Sequence, residues 1–339
     1  GIGKMIRTSH YLFAALCLGS LFACSRQFTD SYIVPKWCFA VFMLFIVLAY
    51  EAVNILFYRQ NEQKDTRISV YGFIIVISCF LQAMFGVVQF FGFFQISTTL
   101  WVTGSFDNPA GFAACLCAGF PFVGFLLSDS NKYIRYVGGL IGFVIVIAVI
   151  LSQSRAGIMS IAFICFILLN MKFFHKRWVK YLSLLCFALL LSGCYWMKKD
   201  SADGRLLIWR CSVSMVKDAP WLGHGIGSFE ARYMDYQADY FRQYGLNRYS
   251  MLADNVKHPF NEYLGVLLNF GFVGLLMILA LITLLIYCYK KHPCAEKRIA
   301  FYSLISIGVF SFFSYTFTYP FTWIVTFLCI IILTKEYIA

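Results

Sequence analysis

Residues 255–274 read "NVKHPFNEYLGVLLNFGFVG". Within this stretch a polar segment gives way to an apolar run that continues to residue 289, with Glu262 as its single charge. About 20 apolar residues in a helix cross a bilayer core. The run is therefore expected to be a membrane helix, with His258, Asn261 and Glu262 at its lip. The chain as a whole has the same character. Of its 339 residues, 60% are hydrophobic, 19% aromatic and only 13% charged. That composition fits a polytopic membrane protein and excludes an ordinary soluble domain. Comparable apolar runs lie near 9–25, 37–58, 69–95, 109–128, 136–152, 157–171, 181–197, 300–317 and 320–334. The expected fold is all-α, with about ten transmembrane helices. Residues 1–197 would hold spans one to seven, 198–259 one large loop, and 260–339 spans eight to ten.

The short connections alternate in charge. "YRQNEQKDTR" (58–67), "SDSNKYIR" (128–135), "KFFHKRWVK" (172–180) and "KKHPCAEKR" (290–298) are basic and fall on one side, together with Lys4 and Arg7. The opposite short connections carry only Arg26, Lys36 and Arg155. Lys and Arg collect in cytoplasmic loops, so both termini are expected in the cytoplasm and residues 198–259 in the periplasm. The net charge of +12 is read the same way. No basic helix with interleaved aromatics lies outside the apolar runs, so nucleic acid is not an expected partner. Tyr11–Ala23 behind Lys4 and Arg7 has the layout of a signal peptide, but bulky Phe22 makes "LFAC" a poor lipobox, and a first span is expected instead.

Residues 198–259 carry nine Lys/Arg against seven Asp/Glu. "GRLLIWRCSVSMVKDAPW" (204–221) reads as an amphipathic helix that could lay Leu206, Ile208, Trp209, Val213 and Val216 on the bilayer surface. "PWLGHGIGSF" (220–229) is a Gly-rich turn. A second helix is expected near 228–243, and "ADNVKHPF" (253–260) returns the chain to the membrane. Most of the 13 cysteines sit in apolar runs and behave as small hydrophobes. A disulfide between Cys194 and Cys211 is conceivable on the oxidising side. There is no CxxC, and the outer loop has two His, one Cys and no DxD, so neither a metal nor a cofactor is expected.

His258 precedes Pro259, which suits the first turn of a helix. Asn261 and Glu262 follow three and four residues later and would share its face if the helix starts early. A helix N-terminus favours an anion such as phosphate. The plainer reading is that Asp254, Asn255 or Asn261 caps the helix and His258 is a solvated surface residue. Arg155, in "SQSRAG" (152–157), is either an anion contact or a snorkelling anchor, since an Arg at that depth is expensive unless paired. Arg205 and Arg210 flank Trp209 and either rest on lipid headgroups or clamp a phosphate, for which guanidinium suits better than ammonium. Asn108 before Pro109 in "GSFDNPAGFA" (104–113) has the signature of a helix cap and presents another N-terminus. Glu51 lies in the second run near Arg59; it is either functional or a snorkelling carboxylate. His224, in the Gly-rich turn, has no assigned part.

"GSFDNPAGFAACL" (104–116), "SQSRAGIMS" (152–160), "GRLLIWRCSVSMVKDAPWLGHGIGSF" (204–229) and "HPFNEYLGVLLNFGFVGLL" (258–276) occur in an order and spacing that resemble the O-antigen ligase and polymerase superfamily of bacterial membrane glycosyltransferases. Members usually have more spans. The resemblance covers roughly residues 70–335. It implies a metal-independent enzyme of the bacterial inner membrane with its active site on the periplasmic face. The donor would be an undecaprenyl-diphosphate-linked glycan and the acceptor a lipid, glycan or protein hydroxyl, with membrane lipids as the remaining partners. Arg155 and Arg205 match the family's diphosphate-contacting arginines, and Arg210 is a helper. Asn261, Gly271 and Gly274 match its late Asn–Gly–Gly pattern. Asn261, Glu262 and Asn108 are further substrate-binding candidates. The family's His commonly stands immediately before that Asn, where this chain has Phe260. His258 is taken as the base, since its ordinary pKa suits neutral pH, with Asn261 and Glu262 as the alternative. A ligase-like activity is the first expectation. A polysaccharide polymerase, a protein O-oligosaccharyltransferase, and a transporter or flippase of an anionic lipid-linked glycan are the competing ones. The last would need broken helices and mid-membrane charge, for which Glu51, Gln82 and Gln89 are the candidates.

Overall fold

The computed structural model describes residues 2–58, 67–94, 102–173 and 176–338. Most of the basic connection at 58–67, with Arg59, and His175 in the one at 172–180 lie outside the described residues. Helix is the regular structure throughout the described residues. The helices are α1 (Ile2–Phe22), α2 (Ile33–Tyr58), α3 (Arg67–Phe90), α4 (Pro109–Gly119), α5 (Val123–Leu127), α6 (Lys132–Leu151) and α7 (Arg155–Phe173). They continue with α8 (Arg177–Met197), α9 (Lys199–Asp218), α10 (Ser228–Tyr244), α11 (Glu262–Lys291), α12 (Ala295–Phe313) and α13 (Pro320–Ile338). Each expected apolar run is helical over most of its described length. By length and composition, six helical stretches among the described residues can cross a membrane: 33–56, 67–90, 109–127, 132–151, 177–197 and 262–291. The stretch 109–127 is not one regular helix. Pro121 lacks an N–H and clashes with a preceding carbonyl, and a 3-10 turn at Phe120–Phe122 separates α4 from α5.

The chain forms two compact units. The first is Gly1–Ile161, Cys288–Ile307 and Thr316–Ala339; the second is Ala162–Tyr287 and Gly308–Tyr315. In the first unit the intramembrane polar residues are structural ties. Gln89 accepts from the N–H groups of Thr103 and Gly104 and donates to the Gly104 carbonyl at 2.8 Å. Gln82 donates to the Ser105 hydroxyl at 2.7 Å. Both glutamines hold the segment before α4. Glu51 is held by two partners: it meets Arg67 at 3.0 Å and accepts from the Ser9 hydroxyl. Lys36, expected as a loop charge, is fully buried and donates to the carbonyls of Ser105, Tyr32 and Ala23 at 2.7, 2.9 and 3.2 Å.

In the second unit α9 packs on α10 around a core of Leu207, Ile208, Cys211, Met215, Phe229, Tyr233, Tyr249 and Leu268. The positions from α9 repeat at helical spacing, so its buried stripe faces protein. This corrects the expectation that Ile208 lies on the bilayer; of the residues expected there, Val213 is exposed, while Leu206, Trp209 and Val216 pack partly against the core. Cys194 and Cys211 are both buried and neither is in a disulfide, so the expected bridge does not form.

Within α11 the backbone breaks at Gly271, with φ 66° and ψ −160°. The groups freed there are taken up by the Gly-rich turn. His224 and Gly225 donate to the carbonyls of Leu268 and Asn269 at 2.8 and 3.0 Å. Phe272 and Val273 donate to those of Pro220 and Trp221 at 2.8 and 3.2 Å. A Cβ at Gly271 would stand 2.4 Å from the Trp221 carbonyl, and one at Gly223 2.5 Å from Asn269. The two backbones touch because neither residue has a side chain.

Candidate functional site

The lip is not built as its sequence suggests. α11 begins at Glu262, and Asn261 is its cap: the side-chain oxygen accepts from the Leu264 N–H at 3.0 Å. Pro259 therefore lies ahead of the helix, and His258 does not share a helical face with Asn261 and Glu262. This corrects the early-start expectation. The cap outweighs proline because it satisfies a helix donor that proline only tolerates leaving open. Asn261 is buried, and Glu262 sits in the first turn, where the helix dipole favours a carboxylate.

Phe260 has φ 53°, which for a bulky residue is a genuine outlier. The turn carries its ring beneath Arg205, whose guanidinium carbon stands 4.9 Å from the ring centre. Arg205 also donates to the Phe313 carbonyl at 2.5 Å. Phe313 ends α12, and a cation is favoured at a helix C-terminus. Just beyond it, Tyr315 stacks on His258 with ring centres 4.4 Å apart and lies 5.3 Å from Phe260. Trp209 donates to the Pro259 carbonyl at 2.9 Å and packs on Phe312. Tyr263 donates to the Gly308 carbonyl at 2.7 Å. Segments 258–263 and 308–315 thus form one aromatic wall that carries Arg205 and His258.

Burial pushes the His258 imidazole below its ordinary value, Glu230 pulls it back up, and Lys257 pushes it down again. The net direction is down, so the ring is neutral at neutral pH and able to accept a proton. A positioned cation beside a neutral imidazole can stabilise an anionic leaving group and remove a proton from a nucleophile.

Arg210 does not join Arg205. It is exposed and lies over the Tyr249 ring at 5.3 Å, the ring that Arg248 also covers at 4.7 Å. Five positions on a helix separate the two arginines by more than a turn. Arg155 and Asn108 belong to the first unit. Arg155 opens α7 behind Ser154, whose hydroxyl caps Gly157 at 3.2 Å, and Gln153 makes the reversal with φ 56°. Asn108 is the cap of α4. Its oxygen accepts from Gly111 at 2.8 Å and from the Tyr319 hydroxyl at 3.2 Å, and its amide donates to Asp107. His224 accepts a place in the fold: its ring meets the Met215 carbonyl at 2.6 Å and Arg232 at 3.1 Å. Tyr315 and Phe260 are the site residues that sequence reasoning missed. The signals were the aromatic run 310–319 and the occupation of the family's His position by another aromatic.

Residues 140–279 match the family model described as O-antigen ligase. The interval contains Arg155, Arg205, Arg210, His258, Asn261 and Glu262 and leaves Asn108 outside. No curated protein matches the chain. The family toward which the four sequence motifs point, whose members are glycosyltransferase-like ligases, is thus the one that residues 140–279 of this chain are similar to.

Proposed function

We propose that the chain is a metal-independent membrane glycosyltransferase that moves a glycan from undecaprenyl diphosphate to an acceptor hydroxyl at the periplasmic face of the bacterial inner membrane. Arg205 contacts the diphosphate. The acceptor oxygen attacks the anomeric carbon, and the bond from that carbon to the diphosphate oxygen breaks. The hydroxyl proton passes to His258, and the electron pair leaves with undecaprenyl diphosphate. Asn261 and Glu262 edge the acceptor's approach, Arg210 is a more distant helper, and Asn108 acts through the helix start it caps. The part of Arg155 rests on the family resemblance. The single observation that carries the reading is the shared wall of Phe260 and Tyr315, which holds Arg205 and His258 together. The ten helical runs and the alternation of basic connections support a ten-span topology with residues 198–259 outside.

The test is transfer in proteoliposomes from a fluorescent undecaprenyl-diphosphate oligosaccharide with EDTA present. Removing a general base lowers transfer by about 10²–10⁴-fold, the loss expected of His258→Ala. Removing one preorganised charge contact lowers it by about 10²–10³-fold, the loss expected of Arg205→Ala. Retention of wild-type rates by His258→Ala, Arg205→Ala and Arg155→Ala together would overturn the enzyme reading. The break in α11 is the observation that favours a transporter, which often uses discontinuous helices. Donor that crosses the bilayer unconsumed would put that reading first.

A further inference from the structure

A recess of about 130 Å³ opens in the second unit between α9, α10 and the returning segment 252–260. Arg205 and Phe260 form part of its wall, so it adjoins the proposed diphosphate contact. The rest of its polar lining comes from Ser201, Asp254, Gln237 and Tyr233. Gln237 is 6% exposed and its side-chain carbonyl oxygen has no hydrogen-bond partner, whereas the Tyr233 hydroxyl meets the Cys211 thiol. Buried polar groups are normally satisfied, and an amide oxygen without a partner beside the recess calls for a ligand that supplies a donor.

Gly204 points the same way. It lies inside α9, where glycine weakens a helix, and it lines the recess. A Cβ at Gly204 would meet nothing within 4 Å, so neither contact nor a left-handed backbone requires glycine there. What its missing side chain leaves is room in the recess.

The lining selects among ligands. The Asp254 carboxylate opposes the Arg205 charge and disfavours a second anion. The polar atoms disfavour an acyl chain. A hydroxyl-rich ring with one apolar face fits both the amide and carboxylate and the aromatic surface of Phe260. We propose that this recess is a sugar subsite, seating a neutral pyranose whose hydroxyls bind Gln237 and Asp254 and whose C–H face lies on Phe260. The inference rests on the glycosyl-transfer reading, and the ring is either the donor sugar next to the diphosphate or the sugar that bears the acceptor hydroxyl.

The test uses the full chain in detergent and in proteoliposomes, with Gly204→Met to fill the recess and Gln237→Leu to remove its amide. Saturation-transfer NMR with glucose, galactose and N-acetylglucosamine reads sugar binding directly. Wild type is expected to give a signal with at least one of them, and both variants are expected to lose it while their thermal unfolding midpoints stay at or above that of wild type. In transfer kinetics the KM for one glycan partner should rise about tenfold, the loss of roughly one hydrogen bond. A rise for the donor identifies the donor sugar, and a rise for the acceptor identifies the other source. Wild-type signals and KM values in both variants, or no signal with any sugar in wild type, would overturn the subsite while leaving the transfer reading intact. A sugar signal that the variants lose, in a protein that transfers nothing from any donor, would keep the subsite and remove the transfer reading.

Discussion

His258 is the base of the proposed transfer, and its environment sets the sign of a pH effect. Its folded pKa lies below the ordinary imidazole value of about 6.5, so the base is neutral across neutral pH and is lost only under more acidic conditions. kcat/KM should hold a plateau at neutral pH and fall along an acid limb centred below 6.5. Glu230 raises that pKa, so Glu230→Gln should move the limb to lower pH. A limb at or above 6.5, or one that stays put in the variant, would count against His258 as the base. Stability follows the same sign: the unfolded chain binds the proton more readily, so the contribution of the buried neutral ring is present above 6.5 and fades as pH falls toward the folded pKa. Phe260 supplies a second test. Its ring already lies between Arg205 and Tyr315, so an imidazole there would face the same guanidinium. The double variant His258→Ala with Phe260→His should regain at least about tenfold of the transfer lost in His258→Ala alone, a difference of about 1.4 kcal/mol in barrier. If it regains none, the base does not act from this wall.

At the scale of elements, the break in α11 makes a sharp prediction. Gly271→Ala forces a non-glycine residue into a φ/ψ region open essentially to glycine, which costs of the order of 1–3 kcal/mol before any clash with Trp221 is counted. The thermal unfolding midpoint in detergent should drop accordingly, whereas Gly204→Ala, in open helical space, should hold or raise it. Equal effects at the two positions would mean that the turn at 220–225 does not bind the break. Lys36→Met should also destabilise, by about 1–3 kcal/mol for each buried carbonyl left unpaired. These elements also show what the sequence makes legible. The apolar runs announce their helices because burial in a bilayer needs long uninterrupted apolar stretches, and α10 falls within a residue of its expected limits. The break at Gly271 is not legible, because the hydrogen bonds that satisfy it come from residues some 50 positions earlier. The face of α9 is mistaken by part of a turn, since Leu206 and Leu207 are equally apolar and only the packing of α10 chooses between them. The start of α11 is displaced because two helix-start signals compete, Pro259 and Asn261, and the side-chain cap prevails. Among the site residues, Arg205 and His258 stand out from the sequence by their chemistry, but their meeting depends on Tyr315 and Phe313, which are distant in the chain.

For the whole molecule, the reading stands on which side of the membrane residues 198–259 occupy. An outward site can meet a lipid-linked glycan that projects into the periplasm; an inward one cannot. The charge pattern predicts the side: basic residues gather at the 128–135 and 290–298 connections, and the large loop has a nearly balanced charge. The cysteines make the side measurable. None of the 13 is in a disulfide, so replacing them breaks none. A chain that retains Cys294 alone reports on the connection between α11 and α12, where that thiol is exposed. A cysteine-free chain with Leu246→Cys reports on the segment 198–259, since Leu246 is 87% exposed just after α10. In intact spheroplasts a membrane-impermeant maleimide should label Leu246→Cys and spare Cys294, and permeabilisation should expose both. Labelling of Cys294 with protection of position 246 would invert the topology and place the Arg205–His258 wall on the cytoplasmic face. The donor would then have to be met before it is flipped, and a periplasmic ligase could not be the function of this chain. Labelling of both positions before permeabilisation would put the two connections on one side and break the expected alternation of spans. The outward topology requires the first pattern, because the positive-inside bias acts on short connections, and the 290–298 connection is both short and strongly basic.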